Sequence, residues 1–178
     1  MTESVKDEGV TPDLIFLDKI GETLQEIAAD VIEADSESLV SRWFHSSKEV
    51  DVFFWLDKRN NVIKQQLNFC GQIVEWNILD GIKTGLKIET EGETNNSEEE
   101  TFVYDSKPMK ISIAQAISLL KHAHRIKDNE RQALIENFRQ NRTMSNMEAD
   151  EFCQRFGKEE GRDPKKGIWK KFKKWFNS

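Results

Sequence analysis

Between Leu39 and Glu91 apolar and polar residues alternate with a period of two, in segments near Leu39 to His45, Val50 to Asp57, Val62 to Phe69, Ile73 to Ile78 and Gly85 to Thr90. Successive side chains of a strand point to opposite faces, so this period is the mark of sheet rather than helix. The breaks between segments are short. Parallel neighbours need a crossover of about a dozen residues or more, so sequential antiparallel pairing is expected. Lys58-Arg59-Asn60-Asn61 has the length and chemistry of a hairpin connection, and Gly71 suits a bend or bulge between the third and fourth segments. A solvated acidic stretch, Glu91 to Glu100, precedes a short strand predicted at Thr101 to Tyr104.

One segment is apolar on both sides: Val52, Phe54 and Leu56 alternate with Asp51, Phe53 and Trp55. Such a strand belongs inside a sheet, with helices covering at least one face. The helices are legible on either side of the meander. Thr11-Pro12-Asp13 carries a hydroxyl cap, a proline for the first helical position and an acid for the positive end of the dipole. Leu14, Leu17, Leu24, Ile27, Ala28, Val31 and Ile32 then recur at helical spacing, which predicts one helix through Ile32. After Pro108 a helix is predicted from about Ser112 to Lys127 and a second from an Asp128 cap, with Ala133, Leu134 and Phe138 inward. A third opens on the capping box Ser145-Asn146-Met147-Glu148, with Met144 and Ala149 as a staple, and stops at Gly157.

The fold class is therefore α+β: an N-terminal helix, an antiparallel β-meander of about four to six strands, a three-helix segment and a short amphipathic basic C-terminal helix. Residues 1–10 read as a disordered acidic N-terminus, 11–157 as a single domain, 158–167 as a polar tether and 168–178 as a basic-aromatic tail. At 178 residues, 37% hydrophobic, the chain is long enough to bury a sizeable core. Cys70 and Cys153 lie far apart inside apolar runs, which predicts buried free thiols in a reducing compartment. Met1 to Val10 is acidic where a secretory signal starts basic, and no apolar stretch approaches the roughly 18 residues that span a bilayer. A cytoplasmic protein is expected, with at most peripheral contact at the inner face of a membrane.

The net charge of −6 is unevenly placed: Met1 to Glu37 holds eleven acidic residues, whereas Lys158 to Ser178 holds eight basic against three acidic. In the tail, Ile168, Trp169, Phe172, Trp175 and Phe176 fall at i, i+1, i+4, i+7 and i+8, and Lys170, Lys171, Lys173 and Lys174 fill the opposite arc. An apolar helical face is most often core, so the tail can fold back on its own domain. It equally has the composition of an interfacial helix, and the lysines would each contribute about 1 kcal/mol near an anionic leaflet. These nine residues are the candidate docking site, for a protein partner or an anionic membrane surface. A homo-oligomer is compatible with the same composition.

Nucleic acid is an unfavoured partner, because the acidic first helix and the Glu98-Glu99-Glu100 run repel phosphates and the tail lacks the arginines that read bases. No catalytic constellation stands out. His122 and His124 are two apart on a helix, the wrong spacing for a metal pair, and neither a metal nor another cofactor is expected. His45 lies beside Ser46 and Ser47 without a nucleophile elbow. Asp80-Gly81-Ile82-Lys83-Thr84-Gly85 departs from a phosphate loop, since no glycine precedes the lysine and a strand follows; a tight connection is the better account. Glu75 and Asp51 are the carboxylates best placed against apolar surface, and Trp43, Trp55 and Trp76 could line a groove or simply pack. The expected function is a non-enzymatic adaptor or regulatory binding domain whose tail docks reversibly. The alternatives are a small-molecule-binding or hydrolytic domain, with a pocket holding at least two of His45, Glu75 and Asp51, and a nonspecific nucleic-acid accessory protein.

Overall fold

The computed structural model describes residues 14–34, 37–88, 101–157, 170–174 and 176. A helix, α1 (Leu14–Thr23), leads into seven strands: β1 (Gln25–Ala34), β2 (Glu37–Ser46), β3 (Val50–Leu56), β4 (Val62–Phe69), β5 (Gln72–Asn77), β6 (Gly81–Ile88) and β7 (Thr101–Tyr104). Three helices follow, α2 (Lys110–Lys121), α3 (Asp128–Gln140) and α4 (Ala149–Phe156). The strands form one antiparallel sheet in sequence order, β1 to β7, as short connections require. Residues 170–174 and 176 are again helical.

Besides α2 stopping at Lys121 where the spacing predicts a helix to Lys127, two expectations change. The single helix through Ile32 ends at Thr23, whose hydroxyl donates to the Ile20 carbonyl at 2.7 Å, and the chain turns at Leu24 into β1. Ile27, Val31 and Ile32 are β-branched and suit a strand. Pairing along β2, from Gln25 opposite His45 to Ala34 opposite Glu37, supplies a long-range ladder that helical spacing cannot foresee. The sheet thereby gains a strand and has seven rather than four to six. The second change is at α4. Ser145 forms no cap there; its hydroxyl bonds Thr143 Oγ1 at 2.8 Å, and Glu148, the residue preceding the helix, has no side-chain cap. Gly157 does end α4, with φ of 86°.

The sheet has one covered and one open face. On β3, Val50, Val52, Phe54 and Leu56 are buried and Asp51, Phe53 and Trp55 are half-buried. Val52 pairs with Phe44 on one side and Leu67 on the other, and Leu67 with Val74, so one buried row crosses four strands. Leu17, Ile20, Leu119, Leu120, Leu134 and Phe138 from the helices complete this core. Polar bolts fix the layers: Gln65 donates to the Leu134 carbonyl and accepts from Asn137 Nδ2, both at 2.9 Å, and the Ser112 hydroxyl donates to Gln72 at 2.7 Å. Trp76 belongs to this covered face and is fully buried, its indole N–H without a hydrogen-bond partner.

Candidate functional site

The open face carries a row of rings. Trp43 of β2 stands opposite Phe53 of β3, with centroids 5.6 Å apart and planes 16° apart; Phe53 stacks in turn with Trp55 at 6.5 Å. Trp55 lies opposite Lys64 of β4, whose Nζ is 5.0 Å from its ring centroid. The same ammonium lies 5.9 Å from the ring of Phe176, so the row runs from the sheet onto the C-terminal helix. The three-tryptophan groove is corrected accordingly: Trp43 and Trp55 share a face, Trp76 is buried on the other, and Phe53 takes the middle place. The alternation in β3 already held Phe53; the register with β2 and β4 gave it neighbours.

At the far end of the row Asp51 accepts two hydrogen bonds, from Trp43 Nε1 at 2.7 Å and from His45 Nδ1 at 2.9 Å. A carboxylate oxygen accepts, so in this contact the proton is carried by Nδ1 and Nε2 faces away from Asp51. The His45 side chain is 41% exposed. This pair could bind or polarise a ligand group. The adjacent Ser46 offers no nucleophile, because strand alternation sends it to the covered face, where its hydroxyl bonds Thr23 at 2.6 Å. Glu75 is on the open face but two strands from Asp51, across Gln66 and Phe53. It is buried and accepts from the Tyr104 hydroxyl at 3.0 Å. Burial, together with the negative charge and hydrogen bond of Glu75, pushes the Tyr104 phenol up to about 12.

Of the tail residues, Ile168, Trp169 and Trp175 lie outside the residues whose side chains are described, as do the N-terminus and the tether. Lys170, Lys173 and Lys174 are exposed and Lys171 is half-buried. Phe172 is buried at 2% exposure, edge-on to Phe156 at 5.7 Å and stacked with Phe176 at 6.2 Å. Phe156 packs in turn on Phe152 at 4.9 Å. Near this helix, partial burial would raise the Asp80 carboxyl. Hydrogen bonds from Lys83 and Asn77, and the charges of Lys83 and Lys173, outweigh that and hold it below the usual carboxylate range.

A second uncovered area lies at the β7 edge, where Leu86, Val103, Met109 and Ile111 are each about half exposed. Leu86 and Val103 are opposite one another in the ladder. Nothing in the sequence marks them, since their spacing is that of covered positions. Both cysteines are free, but Cys70 is exposed in the β4–β5 turn rather than buried. His122 bonds the Ser118 carbonyl at 3.1 Å and Asp18 at 3.2 Å. Among the described residues no cluster of three or more metal-ligating side chains forms, and no helix is long and apolar enough to cross a membrane. Compared with known protein families, with curated proteins and with solved structures, the chain has no match.

Proposed function

We propose that the chain is a non-enzymatic binding domain that docks an apolar segment of a partner protein along the open sheet face. The observation that carries this reading is the continuous row Trp43, Phe53, Trp55, Lys64 and Phe176. Half-buried aromatics on a rigid sheet present contact area with little side-chain entropy to lose, which is what binding hot spots are made of. The tail's part is then structural as well as adhesive: Phe172 holds the helix to the domain, and Lys170, Lys173 and Lys174 are exposed. Insertion of the tail's aromatics into a bilayer would first have to expose Phe172, at a cost of about 2 to 3 kcal/mol, against about 1 kcal/mol gained per lysine at an anionic surface. Four tail lysines at that value match or exceed the cost, so the protein-partner reading rests on the aromatic row and not on this balance.

The test is site-specific photo-crosslinking in cells, with a benzophenone side chain at Phe53, at Val103 on the β7 edge, or at exposed Gln132 on α3 as a control. A discrete adduct at Phe53 alone, lost on Trp43→Ser with Trp55→Ser while circular dichroism stays native, is the expected result. Adducts at Val103 but not Phe53 would move the docking surface to the β7 edge. Salt-sensitive sedimentation of the purified chain with anionic vesicles, and no adduct at any position, would replace the protein partner by a membrane.

A further inference from the structure

We propose that a groove between the β3–β4 turn and α4 is a binding site for the phosphate group of a small soluble ligand. The groove, about 620 Å³, is lined by Arg59, Asn61, Glu151, Gln154 and Arg155, all of them polar. The Arg59 guanidinium is seated by the chain around it, and Arg155 lines the opposite side from α4. Asp57 fixes the turn, accepting from the backbone N–H of Arg59 and of Asn61 at 2.8 Å each and from Asn61 Nδ2 at 3.0 Å. Asn61 Nδ2 also donates to the Arg155 carbonyl at 2.9 Å, which bolts the turn to the last turn of α4. The Arg59 guanidinium lies against Gly157, with Nη2 2.5 Å from the place a Cβ would occupy. Gly157 therefore serves twice: its φ of 86° ends the helix, and its missing side chain seats Arg59.

The charges do not cancel locally. Neither Arg59 nor Arg155 has an ion-pair partner among the described residues. Glu151, the one carboxylate among the described lining residues, receives Arg142 Nη2 at 2.7 Å and is neutralised from outside the groove. Asp57 is nearby, held by backbone and amide donors, and offsets one of the two guanidinium charges, so the groove keeps a net positive charge. Arg59, Arg155 and the Gln154 amide thus line an open polar space, with Asn61 committed to holding the turn against α4. Guanidinium groups match the oxygens of phosphate bidentately, and a dianion balances two of them where a carboxylate balances one. In a chain of net charge −6 this local excess of positive charge selects for a compact dianion rather than for a long polyanion.

The experiment is isothermal titration calorimetry of the full chain with inorganic phosphate and with acetate at matched ionic strength, with sedimentation on phosphatidic acid vesicles as a separate arm. Saturable phosphate binding is expected, tighter than acetate by about tenfold, and weakened about tenfold by Arg59→Gln or by Arg155→Gln, the loss of one charge-assisted contact. Gly157→Ala should also weaken it by displacing Arg59. Glu151→Gln should tighten it severalfold, because it removes the carboxylate and releases Arg142, an effect that general damage to the fold would not produce. Absence of saturable phosphate binding would overturn the proposal, as would equal affinity in arginine variants whose circular dichroism and melting are native. Binding to the vesicles alone would overturn the assignment to a small soluble ligand.

Discussion

Arg42 is the buried cation of the covered face. It donates from Nε to Glu26 at 2.6 Å and from Nη1 to Glu130 of α3 at 2.9 Å, and its guanidinium lies 5.4 Å from the Phe44 ring centroid. Glu130 is also buried, so removing Arg42 leaves a carboxylate without solvent or partner. Arg42→Met should cost about 3 to 5 kcal/mol in urea denaturation, and adding Glu130→Leu should recover most of it. Tyr104 gives a second prediction, because it is the chain's one tyrosine and its absorbance can be read alone. Its phenol should titrate near 12 in the folded protein, against about 10 when unfolded. The folded state keeps the proton longer, so this contribution to stability is complete below pH 10 and is lost as pH rises toward 12. Tyr104→Phe should flatten that alkaline decline, and Glu75→Gln should lower the absorbance midpoint. Neither His45 with Asp51 nor Tyr104 with Glu75 could be paired from sequence, since each contact spans strands whose register only the folded sheet sets.

Among the elements, α1 and α2 meet most closely at Gly21. A Cβ there would lie 2.4 Å from the Leu119 carbonyl oxygen and 3.0 Å from His122 Cβ. Glycine to alanine in an unhindered helix gains about 1 kcal/mol. Here the obstacle is backbone, so Gly21→Ala should instead cost about 1 to 3 kcal/mol in thermal or urea unfolding. The C-terminal helix makes a contrast within one element: Phe172→Ala should cost about 3 kcal/mol, while Lys170→Ala, fully on the solvent side, should change stability by less than about 0.5 kcal/mol. The elements themselves were unevenly legible. β4 and β7 fall where alternation puts them, and the Gly157 stop holds, because these signals are local. β1 was hidden because Gln25 to Ala34 has helical spacing, and its strand state depends on β2. The α4 capping box was a false signal, because Thr143 offered Ser145 a nearer partner.

For the whole molecule, the decisive fact is that α1, α2 and α3 pack on one face of a seven-stranded meander while the other face keeps its aromatic row, extended by Phe176 of the C-terminal helix. The row and the core draw on the same strands, so their energetics separate by face. Trp55→Ser should cost about 1 to 2 kcal/mol in urea unfolding, because Trp55 is half-buried, stacks on Phe53 and makes a cation-π contact with Lys64. Phe54→Ser, one residue away and fully buried, should lose about 3 to 5 kcal/mol or fail to fold. The sequence by itself determined the α+β class, the sequential antiparallel order and most strand positions, because periodicity and short connections are properties of adjacent residues. It also determined that the tail would be amphipathic as a helix. Only the tertiary structure decided which face of each strand is covered, that Trp76 lies inward while Phe53 joins Trp43 and Trp55, and that Phe172 turns into the domain. Those outcomes depend on register and on which surfaces meet across long stretches of chain, and no local pattern carries that information.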